Sequence, residues 1–172
     1  AVEVEQLVPL DEARQSPEQP FIRWTTRDES GAAFALRPEA PAGAFVDHLW
    51  ESSVSELFIA DGSGNGKYLE FEVTPQAHWL ALRFNAPRQR AAGHETPLDA
   101  LWRGQATPFA SETGFGMDLS YALLEPFIHD GRLTLQCAVS LGDGRYGLFP
   151  WWHGEGVPDF HQPARFCVVR VG

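Results

Sequence analysis

A chain of 172 residues is long enough to bury a core without disulfide staples. Its 44% hydrophobic and 21% charged residues argue against wholesale disorder, and 13 prolines with 16 glycines suit short strands joined by tight turns better than long helices. The formal net charge is −10, with no basic run longer than Arg88-Gln89-Arg90, which disfavours a nucleic-acid partner or an anionic membrane surface. Nor does the sequence contain a run of about 18 apolar residues that could span a bilayer.

The amino end, Val2 to Val8, alternates apolar and polar residues and reads as an edge strand. Phe21 to Thr26 and Ala32 to Leu36 are two short runs separated by Asp28-Glu-Ser-Gly31, a hairpin signature. The centre is a strand, a glycine-rich turn and a strand: Val54 to Ala60, Asp61 to Gly66, Lys67 to Val73. In the second of these strands Leu69, Phe71 and Val73 share one face, and Tyr68, Glu70 and Glu72 share the other. His78 to Phe84 returns as a third strand, so the centre is an antiparallel meander.

Residues 85 to 112 form the longest irregular stretch, with a short strand expected over Leu98 to Trp102. Tyr121 to Ile128 predicts one short helix broken by Pro126. Leu133 to Leu141 alternates strongly, Asp143-Gly144 turns it, Tyr146 to Phe149 pairs back, and Phe166 to Val171 closes the chain. Nine or ten strands with little helix and no internal repeat predict one all-β domain over 1–172, a two-sheet antiparallel β-sandwich.

Cys137 lies on the apolar face of the Leu133–Leu141 strand. Both it and Cys167 are expected to be buried free thiols, in keeping with a reducing, cytoplasmic compartment, with a disulfide between neighbouring strands as the alternative.

Three constellations could carry chemistry. Asp61-x-Ser63-x-Asn65-Gly66 followed by Glu72 fits EF-hand spacing, but both flanks alternate with period two, so a hairpin turn is expected, with calcium on Asp61 as the lesser reading. Trp151-Trp152-His153 with Asp159 and His161 offers two imidazoles and a carboxylate for a metal, yet nothing fixes a fourth ligand; a loop or a pocket lining is expected instead. No nucleophile elbow and no paired Cys and His stand out, and the 23 acidic residues could form a glycosidase-like pair in too many ways to single one out.

The third constellation is aromatic. Trp50 sits at a loop-to-strand junction with Glu56 just inside the strand; Trp79 and Arg83 share a face of the third strand; Trp151 and Trp152 occupy a later loop. Flat aromatic faces cover the C–H patches of a pyranose while carboxylate and guanidinium groups fork onto its hydroxyls, so this inventory predicts a small carbohydrate ligand. Trp50, Glu56, Arg83 and one of Trp151 or Trp152 are expected to line one concave surface.

Leu49-Trp50 with Ser55-Glu56-Leu-Phe-Ile, Lys67 to Pro75 and Trp79 to Phe84 resemble the DOMON-like, family 9 carbohydrate-binding modules, over about residues 20 to 170. That resemblance implies a β-sandwich, immunoglobulin-like or jelly-roll-like, and non-catalytic sugar binding between two tryptophans. Trp50 would be one wall, Glu56 the carboxylate, Arg83 the guanidinium, and Trp151 or Trp152 the second wall. Structural calcium often accompanies these modules, but their long calcium-binding insertions are not evident in this chain. DOMON relatives also include haem cytochromes with an axial Met and His, for which Met117 is the sole methionine. A protein-interaction module using an edge strand and the Trp151-Trp152 loop is the remaining alternative.

Overall fold

The computed structural model describes residues 1–27, 40–94, 98–141, 145–149 and 159–172. In chain order the elements are β1 (Val2–Gln6), α1 (Leu10–Gln15), β2 (Pro20–Thr26), β3 (Val54–Ala60), β4 (Tyr68–Val73), β5 (Trp79–Ala86) and β6 (Gln89–Arg90). There follow β7 (Ala106–Ser111), β8 (Gly114–Ser120), α2 (Tyr121–Leu124), β9 (Arg132–Ser140), β10 (Tyr146–Phe149) and β11 (Cys167–Arg170). These residues are 46% strand and 15% helix, the helix being short turns. No helix among them is long and apolar enough to cross a membrane.

Two antiparallel sheets result: a four-stranded one in the order β1-β2-β8-β7, and a seven-stranded one in the order β10-β9-β3-β4-β5-β6. β3 occupies one edge of β9, so β10 and β11 share the other, β10 along Cys137–Ser140 and β11 along Arg132–Leu135. The expected two-sheet sandwich is therefore present.

Period-two alternation sets the core. Leu57 and Ile59, then Leu69, Phe71 and Val73, then Trp79 and Ala81, and Leu133, Leu135 and Cys137 point inward from the large sheet. They meet Ile22, Trp24, Phe115, Met117 and Leu119 from the small one. Each fully buried aromatic or aliphatic side chain here contributes about 1.5–3 kcal/mol.

Several local expectations are corrected. Leu98–Trp102 is no strand; Asp99–Leu101 makes a 3-10 turn that drives Trp102 into the core, edge-on to Phe71 at 5.7 Å. The stretch from 85 to 112, expected to be irregular, contains β6 and all of β7, and α1 is a helix that the sequence pattern does not predict. α2 is capped by the Ser120 hydroxyl, which accepts from the Leu123 amide at 3.3 Å, and the chain then tightens into a 3-10 turn at Pro126. Cys137 and Cys167 are both free, but only Cys137 is buried; Cys167 is half-exposed on β11. The expected strand Ala32–Leu36, its turn Asp28–Gly31 and the turn at Asp143-Gly144 lie outside the described residues.

Candidate functional site

The outer face of the large sheet is also buried over much of its area, and this positions the site. Phe58, Ala60, Tyr68, Leu80, Leu82, Phe84 and Ala138 form a second apolar cluster with Leu49, Phe160 and Phe166 from the flanking loops. Into that face the register sets three acids. Glu56 on β3 stands directly opposite Glu72 on β4, and Glu70, two residues earlier, projects from the same face. Their exposures are 5% for Glu56, 0% for Glu72 and 3% for Glu70.

Removed from water, all three carboxyls are pushed up, burial being the largest cause for each. Glu56 rises further against Glu70, and Glu72 against both Glu70 and Glu56. Glu70 is held to about 7 because hydrogen bonding with Glu72 and the Arg90 guanidinium favour its charged form. If all were carboxylates, both Glu72 oxygens and Oε2 of Glu70 would have no hydrogen-bond partner. A protonated Glu72 has a hydrogen to give to Glu70, so the triad resolves its conflict by keeping protons.

Above these acids opens a concave cavity of about 770 Å³, with Glu56, Glu70, Leu82 and Phe84 as its floor. One wall is Trp50, carried by a 3-10 turn at Leu49–Glu51 that Leu49 anchors in the second cluster. Trp50 stays 39% exposed while the Arg90 guanidinium lies 5.7 Å from its ring centroid and pairs with Asp47 at 3.2 Å. The opposite wall is Tyr146, Phe160 and His161, the first two meeting edge-on at 5.6 Å. The Tyr68 hydroxyl is hydrogen-bonded to His161 Nδ1 at 2.6 Å and accepts from the Arg88 amide at 3.2 Å. Burial and the nearby Arg88 pull His161 down to about 4, so its ring is neutral. Asp159 ties the rim together, accepting from the Arg88 guanidinium at 3.0 Å, the His161 amide at 3.1 Å and Gln162 Nε2 at 3.0 Å.

Of the residues singled out in the sequence, Trp50, Glu56 and His161 line this cavity and Asp159 braces its rim. Trp79 does not: it is 7% exposed in the core between the sheets, edge-on to Phe45 at 4.7 Å. Arg83 shares the inward parity of Trp79 and Ala81, opposite Leu69, and ends beside Asp61 and Lys67 in a separate cavity of about 180 Å³. The expected meeting of Arg83 with Glu56 fails because Glu56 aligns through Glu72 with Leu80, three residues from Arg83 and so on the opposite face of β5. Trp151, Trp152 and His153 lie outside the described residues.

Asp61 opens a hairpin loop flanked by β3 and β4, with Oδ1 accepting from the Ser63 amide and Oδ2 from Asn65 Nδ2; an EF-hand's helices are not there. Among the described residues no three His, Cys, Asp or Glu side chains are grouped to hold a metal. Met117 is fully buried on the inner face of β8, across the large sheet from the cavity, and cannot ligate a group bound there.

Glu70, Glu72, Arg90, Tyr146 and Phe160 were not singled out. The signals for three of them were present: alternation had already set Tyr68, Glu70 and Glu72 on one face, and Arg90 belongs to the chain's one basic run.

The fold and site thus define a two-sheet β-sandwich with an acid-floored, aromatic-walled cavity on its outer face. No protein-family model matches the chain, and no curated protein matches it. Among solved structures it resembles a protein from Bacteroides uniformis provisionally named as carbohydrate-binding, with a TM-score of 0.52 and 14% identity over 99% of this chain and 85% of that one. At that identity the likeness is one of fold.

Proposed function

We propose that this protein binds a small carbohydrate, a sugar or the end of a sugar chain, without transforming it, in the cavity on the outer face of the large sheet. The observation that carries the reading is the pairing of a polar floor, Glu56 and Glu70, with exposed aromatic walls at Trp50 and Tyr146. Rings cover the apolar C–H surface of a pyranose, and protonated carboxyls both donate to and accept from its hydroxyls. A volume of about 770 Å³ falls within the range of small-molecule sites. The name given to the Bacteroides uniformis neighbour agrees with this reading.

Kinship with the DOMON-like, family 9 modules is part of the proposal. In its favour, Trp50 and Glu56, two of the residues that the resemblance implied, both border the cavity. Against a literal transfer, the guanidinium groups beside the cavity are those of Arg88 and Arg90 rather than Arg83, and Tyr146 stands opposite Trp50 among the described residues.

Calorimetric titration with a panel of mono- and disaccharides, followed by recovery of each sugar, is the test. Saturable binding of at least one sugar, returned chemically unchanged, is expected. Binding unaffected by Trp50→Ala in a folded variant, or release of a hydrolysed product, would overturn the reading.

A further inference from the structure

The two guanidinium groups that border the cavity already have carboxylate partners of their own on the rim, Arg90 with Asp47 and Arg88 with Asp159. The floor differs. Among the described residues no Lys or Arg forms an ion pair with Glu56, Glu70 or Glu72; the nearest basic nitrogen is His161 Nδ1, 3.7 Å from Glu70 Oε2, and that nitrogen is hydrogen-bonded to Tyr68. Glu70 lines the cavity, is 3% exposed, and has an oxygen, Oε2, without a hydrogen-bond partner. A buried carboxyl with an unfilled acceptor, which Arg90 influences without forming an ion pair, lies beneath an opening large enough for a ligand and can take a closer cation.

We propose that the ligand of this cavity carries a protonated amine, a basic amino sugar in particular, whose ammonium group docks on Glu70 and Glu56. This rests on the sugar reading of the same site. Three N–H bonds of an ammonium suit a floor of carboxyl oxygens, and the faces of Trp50 and Tyr146 favour a cation as well as a sugar ring. The protein's net charge of −10 draws such a ligand in, whereas an acidic sugar meets repulsion from both the surface and the floor.

Docking has a proton consequence. The free floor holds its carboxyls partly protonated, Glu70 at about 7; an ammonium beside them favours the ionised form, so a proton leaves a carboxyl for the solvent as the ligand enters. The other ionisable groups lining the cavity are Arg90 on β6, Arg88 in the turn before it, Tyr146 on β10 and His161, with Asp47 and Asp159 paired to the two guanidiniums and Tyr68 bonded to His161. His161, neutral down to about 4, does not take up that proton near neutrality.

The experiment is calorimetry on the full chain near neutral pH with D-glucosamine, D-glucose, N-acetyl-D-glucosamine and cyclohexylamine, each in two buffers of different ionisation enthalpy. Glucosamine is expected to bind about tenfold more tightly than glucose or its N-acetyl derivative, as one charge-assisted contact would give. Its apparent enthalpy should change with the buffer in the sense of proton release, while that of glucose does not. In Glu70→Gln, with folding checked by circular dichroism, the ratio of glucosamine to glucose affinity should collapse towards one. If that variant does not fold, the buffer dependence of the parent decides.

Equal affinities for the three sugars, with no proton release, would overturn the amine inference and leave the sugar reading standing. Binding of cyclohexylamine alone would overturn the sugar reading and retain the cation site. Failure of all four probes to bind would overturn both.

Discussion

Replacing Glu70 by glutamine should make folding less sensitive to rising pH. Glu70 is 3% exposed, and its carboxyl is raised from 4.5 to about 7, first by burial. An acid with a raised folded-state value keeps its proton in the fold while the unfolded chain has lost it. Its stabilising contribution is complete below pH 4.5 and is lost as pH rises through about 7. At about 1.4 kcal/mol per unit, the shift corresponds to about 3 kcal/mol. Glu56 and Glu72 act in the same direction, and His161 opposes them: it stays neutral in the fold down to about 4, whereas the unfolded imidazole charges near 6.5. The variant removes the Glu70 carboxyl and with it the charge that raises Glu56 and Glu72, both in the same sense, so the quantity to measure is the difference in unfolding free energy between parent and Glu70→Gln. Whatever packing change glutamine brings is constant with pH. Urea unfolding followed by tryptophan fluorescence should show the variant gaining about 3 kcal/mol on the parent between pH 4.5 and pH 7. A difference that stays flat, or moves towards the parent as pH rises, would refute a Glu70 that the fold keeps protonated.

Trp50→Ala should weaken sugar binding by about 1–3 kcal/mol, roughly 5- to 150-fold in calorimetry, with the fold intact because the indole is 39% exposed. Arg83→Ala should leave sugar affinity unchanged, since Arg83 belongs to the small cavity beside Asp61; a loss beyond about tenfold would move the site there. Gly116→Ala should lower stability by about 3 kcal/mol in thermal or urea melts, because a Cβ on β8 at that point would run into the Trp24 carbonyl oxygen on β2; a variant as stable as the parent would contradict the pairing of those strands.

What could be read in the sequence was whatever alternation fixes. Leu57 to Ile59, Leu69 to Val73 and Leu133 to Cys137 announce both their strands and the face that enters the core, because a pleated strand sends alternate side chains to opposite sides. Relative phase between strands was harder. Arg83 and Glu56 were expected to meet, and only the register, Glu56 to Glu72 to Leu80, shows that they cannot. β7 was lost because Thr107-Pro-Phe-Ala breaks the period; Pro108 is tolerable there because β7 is an edge strand of the small sheet. Tyr146 and Phe160 come to the cavity from separate loops and strands far from Trp50 in sequence, a proximity that no local pattern encodes.

The buried acids support the proposed ligand of the cavity. β3 and β4 carry an apolar inner face in Leu57, Ile59, Leu69, Phe71 and Val73, broken only by Ser55, whose hydroxyl pairs with that of Thr26, and the outer positions Phe58, Ala60, Leu80 and Leu82 are apolar too. Folding alone would be better served by apolar side chains at 56, 70 and 72 as well, since each buried acid adds a desolvation cost and two of them face each other directly across the ladder. Departures from local folding rules concentrate where a ligand needs them. Here the departure is confined to the patch of sheet that Trp50, Tyr146 and His161 surround, which is where an incoming polar group would meet it.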